Sequence, residues 1–106
     1  MTSTLNVDAD TAIVAFGGEL DLDAAPQMRA RLDEAFTTDG VTQILVDLSA
    51  AEFVDSTALG ALMAAHNRAV QSDIKYRVIN VPTRVERLLA ITGTLTLLTG
   101  AEDLNS

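Results

Sequence analysis

The chain has 106 residues, 48% of them hydrophobic, and fifteen acidic against seven basic residues give it a formal charge of −8. That length fits one domain with one modest core, since domains typically run on the order of 100 to 150 residues. With no cysteine, disulfides, thiolate catalysis and cysteine metal sites are all excluded. The acidity repels nucleic acid and anionic lipid and favours partners with basic patches.

No apolar run approaches the roughly 18 to 20 residues of a membrane-spanning helix. The opening MTSTLNVDAD has neither the basic start nor the apolar core of a secretory signal. A soluble, cytoplasmic chain without membrane insertion is therefore expected. No arginine cluster is visible to track phosphates, so nucleic acid is not an expected partner.

TLNV (4–7) and TAIVAF (11–16) are short β-prone runs, and the acidic DAD between them reads as the turn of a hairpin. In GGELDLDAAP, Asp21 or Asp23 is placed to cap a helix whose first turn accommodates Pro26. Ala25, Met28, Leu32, Ala35 and Phe36 then recur at helical steps and mark one buried face. After TTDG, residues 41–49 carry Ile44, Leu45, Val46 and Leu48 almost uninterrupted, the pattern of a central strand covered on both sides.

A second helix is predicted from Thr57 to about Val70, with Leu59, Leu62, Met63, His66 and Val70 on one stripe and Ala58, Ala61, Ala65 and Ala69 beside it. IKYRVIN (74–80) alternates as a strand. VPTRVERLLAITG gives a third helix: Thr83 and Glu86 have capping-box spacing, Val85, Leu88, Leu89 and Thr92 share a face, and Gly93 follows the end. TLTLL (94–98) reads as a last strand, and the tail after it is too short for more than one helical turn. The order ββαβαβαβ predicts a single α/β domain over 1–106, a mixed, mostly parallel sheet joined by helical crossovers and covered by helices, with a short or missing C-terminal helix.

The segment EFVDSTALG (52–60) carries the chemistry of interest. A serine where a strand gives way to a helix is ordinarily a cap, and either Ser56 or Asp55 can accept the orphan amide. The same free amides and the positive end of the helix dipole also suit a phosphate of about −1.5 to −2 charge. Phosphorylated Ser56 would leave the fold intact and disturb whatever docks on that helix end; Thr57 is the second-choice acceptor.

GELDLDAA (18–25), ILVDLSAAEFVDSTALG (44–60) and VERLLAITG (85–93) together resemble the bacterial anti-sigma factor antagonists, built on the STAS domain, and the likeness covers nearly the whole chain in order. The resemblance implies a non-enzymatic regulator whose unphosphorylated form binds an anti-sigma factor that is also a serine kinase, freeing the sigma factor. It implies that this kinase phosphorylates Ser56 and that a serine phosphatase reverses the modification. Asp23 matches a position near the phosphorylation site that helps meet the kinase, and Leu59, Gly60 and Met63 belong to the docking helix. Asp21, Asp55, Ser56 and Thr57 complete the expected partner surface. The chain departs from the family in carrying Ala58 where glycine is frequent, which favours the helix but removes backbone freedom at that surface.

Other chemistries fare worse. A serine hydrolase needs a base, and the single histidine, His66, lies ten residues along the same helix from Ser56. At about 1.5 Å per residue that is roughly 15 Å, so His66 is read as packing. No glycine-rich phosphate loop exists and the single lysine, Lys75, opens a strand. Asp21, Asp23, Asp47 and Asp55 read as caps and loop carboxylates in preference to Mg²⁺ ligands, so no metal or cofactor is expected. An acyl carrier-like protein, acidic and modified on serine, would be a helical bundle without the strand patterns. The nearer rival keeps the STAS fold as an unphosphorylated scaffold, either in a stressosome or as a subunit of a lipid-trafficking ABC transporter.

Overall fold

The computed structural model describes residues 1–91, 93 and 98. The chain opens with two strands, β1 (Thr2–Asp8) and β2 (Thr11–Leu20), paired antiparallel from Thr2↔Gly17 to Asp8↔Thr11. Ala9, at φ 56°, and Asp10 make the turn. The elements that follow are α1 (Ala25–Thr37), β3 (Gln43–Asp47), β4 (Ala51–Val54), α2 (Ser56–Ser72), β5 (Lys75–Ile79) and α3 (Thr83–Ile91). The sheet runs β1-β2-β3-β5, with β2, β3 and β5 parallel and β4 paired parallel to β2.

Alternation along the strands puts Ala12, Val14, Phe16, Ile44, Val46 and Val78 on the buried face. Both long helices lie on that face. Arg31 on α1 donates to Ser3, the partner of Phe16, and Tyr76, the partner of Ile44, donates its hydroxyl to the Leu62 carbonyl of α2. Met28 and Leu32 of α1 and Leu62 of α2 fill the space between helices and sheet, and Val85 and Leu89 bring α3 into the same core.

The structure corrects the sequence reading at several points. β3 is covered on one side only: Ile44 and Val46 are buried, whereas Leu45 is half-buried on the face the helices leave open. β2 continues to Leu20, four residues past the expected end, because β4, not anticipated from sequence, pairs with its last turn of chain. Val70 is 69% exposed, since the buried stripe of α2 runs through Leu62, Ala65 and Ala69 and Val70 points a step further round the helix. The expected last strand lies outside the described residues except for Leu98, which is helical and buried. α3 begins at Thr83, with the Pro82 carbonyl accepting the N–H groups of Val85 and Glu86, so Thr83 is inside the helix and does not cap it. Gly93, past the end of α3, takes a left-handed conformation at φ 75°, its N–H donating to the Ala90 carbonyl. No described helix is long and apolar enough to cross a membrane.

Candidate functional site

β2 and β4 end side by side, with Leu20 opposite Val54, both buried, and the Leu20 carbonyl accepting the Asp55 N–H at 3.0 Å. This one bond brings the Asp21–Ala24 segment and the start of α2 to the same edge of the domain. Beneath it, Asp47 fixes the turn between β3 and β4: its carboxylate accepts the Ser49 N–H at 2.8 Å and the Asn80 side-chain amide at 3.2 Å. Burial alone would raise the Asp47 carboxyl, but the hydrogen bonds from the Ser49 N–H and hydroxyl and from Asn80 outweigh it and hold the group below the usual carboxylate range.

At the start of α2 the cap is Asp55. Its backbone is extended (φ −91°, ψ 178°), its carboxylate accepts the Ala58 N–H at 2.9 Å and its carbonyl accepts the Leu59 N–H at 2.9 Å. Ser56 is consequently the first helical residue, exposed, with no hydrogen bond to its hydroxyl among the described residues. The first amides of a helix have no acceptor within it, so Ser56 Oγ stands beside donors that point outward. Thr57 is half-buried.

The remaining expected site residues divide. Gly60 is exposed, and a Cβ there would meet nothing within 4 Å. Met63 is half-buried against the core. Leu59 is only 8% exposed and belongs to the core, so it supports α2 from below and leaves little area at the surface. Ala58 is fully buried as well, so its methyl group fills the core and is not at the surface of the helix start.

Asp21 and Asp23 do not cap α1, whose N-cap position is Ala24 without a side-chain cap. Asp21 instead accepts the Ala24 N–H at 3.1 Å, closing the turn that leads into the helix, while Asp23 is exposed. A notch of about 230 Å³ beside them is lined by Met1, Glu19, Asp21, Asp23, Ala24 and Gln27. Among the described residues no three His, Cys, Asp or Glu side chains converge as metal ligands. His66 is half-buried, its ring edge-on to Tyr76 at 6.2 Å. Two exposed apolar side chains at this edge, Leu22 (65%) and Phe53 (50%), are not among the residues the sequence singles out. An exposed apolar residue flanked by carboxylates is invisible until the strand register is known.

The edge thus gathers an exposed hydroxyl at a helix start, carboxylates and exposed apolar side chains on an α/β scaffold. Residues 3–106 match the STAS domain, and the chain belongs to the STAS domain family. It is 35% identical over 83 residues to the anti-sigma-B factor antagonist of Staphylococcus aureus, covering 76% of this chain and 73% of that protein. Among solved structures it resembles a putative anti-sigma factor antagonist from Thermotoga maritima, with a TM-score of 0.82 at 22% identity over 92% of this chain and 83% of that one. It also resembles the Bacillus cell fate determinant SpoIIAA in its phosphorylated form, with a TM-score of 0.70 at 22% identity over 88% and 85% of the two chains. The resemblance read from the three sequence segments is borne out.

Proposed function

We propose that this chain is an anti-sigma factor antagonist that works as a phosphorylation switch in the cytoplasm. Unmodified, it captures an anti-sigma factor serine kinase on the edge formed by the Asp21–Ala24 segment and the start of α2, freeing a sigma factor. Phosphorylation of Ser56 ends the capture and a serine phosphatase restores it. The observation that carries this reading is the division of labour at the helix start: Asp55 makes the cap, so the Ser56 hydroxyl is exposed and not spent on holding the fold.

The physics is that of an added dianion. A phosphate of about −1.5 to −2 charge at the first helical position is tolerated by the outward amides and the helix dipole, so the domain stays folded. The same charge, next to Asp55 in the chain, changes both the shape and the potential of the docking edge. A useful switch needs a differential affinity of about 2 to 3 kcal/mol.

The test is incubation with the anti-sigma factor kinase and ATP, followed by mass spectrometric mapping. Phosphate is expected on Ser56, absent in Ser56→Ala, and the phosphorylated chain is expected to elute free of the kinase. Transfer to Thr57 would move the switch by one residue. Stable binding without any transfer would instead support the scaffold role.

A further inference from the structure

We infer that Phe53, with Leu22, is the apolar anchor of this docking edge, and that it fits a partner face that is basic and carries an apolar recess. The inference rests on the docking function proposed above and adds the residues that hold the partner and the chemistry of its surface.

Phe53 is on the surface because the strand is built to put it there. Between Gly18↔Ala51 and Glu19↔Phe53, one step along β2 matches two along β4, so Glu52 is an extra residue, a β-bulge. Regular alternation would send Phe53 to the same side as buried Ala51. The bulge reverses the phase: Ala51 and Val54 are buried and Glu52 and Phe53 both face out. Gly18, opposite Ala51 at the shift, takes φ 82°, a conformation that suits glycine. The fold thereby forgoes the gain of burying an aromatic ring, the largest side chain of its strand. Leu22, two residues past the Leu20↔Val54 pair, is more exposed still.

The surroundings select the partner. Glu19 stands opposite Phe53 in the strand pair, Glu52 precedes it, and Asp23 follows Leu22; all three carboxylates are exposed. The stretches 17–28 and 50–67 contain no lysine or arginine. Pairing with a second copy across a two-fold axis would bring these carboxylates against their own images, which like-charge repulsion disfavours. A basic face satisfies the rim while the two apolar side chains enter its recess, the arrangement of a buried anchor within a polar border.

The experiment is a calorimetric titration of the full chain with a recombinant anti-sigma factor kinase from the same organism, without ATP. Phe53→Ala and Leu22→Ala are each expected to weaken binding by roughly tenfold or more, and Phe53→Leu to retain most of it. Val7→Ala, which trims an exposed apolar side chain at the opposite end of the hairpin, should change nothing. Thermal melts should show every variant folded at the temperature of the titration, because about half or more of each trimmed side chain is open to solvent. Ser56→Asp is titrated in parallel. If it weakens binding while Phe53→Ala and Leu22→Ala bind as wild type, the anchor is wrong and the switch stands. If Phe53→Ala and Leu22→Ala weaken binding and Ser56→Asp does not, the anchor stands and the switch is wrong. No binding by wild type overturns both, and a dimer in sedimentation that Phe53→Ala dissolves overturns the anchor by assigning the ring to a self-contact.

Discussion

The Asp55 carboxylate holds the Ala58 N–H at 2.9 Å, immediately before the exposed hydroxyl of Ser56. Two adjacent residues of equal capping ability compete for one helix start, and the Leu20 carbonyl decides between them by fixing the Asp55 N–H in the extended conformation a cap requires. The two residues should therefore separate cleanly in stability. Asp55→Ala is expected to cost about 0.5 to 2 kcal/mol, a fall in Tm of about 4 to 8 °C per kcal/mol for a domain this size. Ser56→Ala is expected to stay within about 0.5 kcal/mol of wild type. Thermal melts of the two variants decide it: a larger loss at Ser56 would show that the serine holds the helix.

A carboxylate at position 56 tests the switch without a kinase. At the first helical position a negative charge gains about 0.3 to 1 kcal/mol from the helix dipole, partly offset by its neighbour Asp55. Ser56→Asp should therefore be no less stable than wild type while its affinity for the anti-sigma factor drops by roughly 30-fold or more. Parallel melting and titration of one preparation check both halves. Lost stability together with lost binding would mean that the side chain acts through the fold.

Much of this architecture is legible in the residues alone, because α1 and the hairpin bury their apolar positions at clean periods: Met28, Leu32 and Ala35 in the helix, Ala12, Val14 and Phe16 in the strand. What fails is what depends on neighbours distant in sequence. β4 is four residues long and its alternation is broken by Glu52, so it carries no period to read. Leu45 beside Ile44 and Val46 looks like a strand buried on both faces, yet a leucine on the open face is tolerated half-buried, and only the placement of both helices on one side tells the difference. The Ser56 segment stands out by its chemistry. That aspartate caps and serine does not follows from the bond to Leu20, which no local pattern contains. Leu59 has a place in the docking helix only through the family resemblance, whereas its position on the apolar stripe of α2 is legible in the sequence and the structure buries it there.

Acid should loosen the edge through Asp47. Hydrogen bonds from Ser49 and Asn80 hold its folded pKa below that of the unfolded chain, about 3.9. A group depressed in this way contributes stability that is present above the unfolded value and is lost as pH falls through the folded one. The carboxylate is largely open to solvent, so the contribution is below about 1 kcal/mol. Urea midpoints between pH 7 and pH 3 should fall less steeply for Asp47→Asn than for wild type. Identical slopes would mean that the turn between β3 and β4 does not draw on the ionised form.

Alkali should act through Tyr76, whose hydroxyl donates to the Leu62 carbonyl at 3.0 Å while its ring meets His66 edge-on. Burial pushes the phenol above its ordinary range, because the tyrosinate would be poorly solvated under α2. A raised folded pKa means that the stability is fully present below the unfolded value near pH 10 and drains away as pH climbs above it, since the unfolded chain ionises first. Tyr76→Phe should cost about 0.5 to 1.5 kcal/mol at neutral pH through the lost hydrogen bond. It should also flatten the alkaline limb of the stability profile. Tyr76 is the only tyrosine in the chain, so the tyrosinate absorbance reports on it alone. The band is expected to rise together with the loss of the folded circular dichroism signal; a rise near pH 10 in protein that is still folded would show the phenol open to solvent and remove the basis of this prediction.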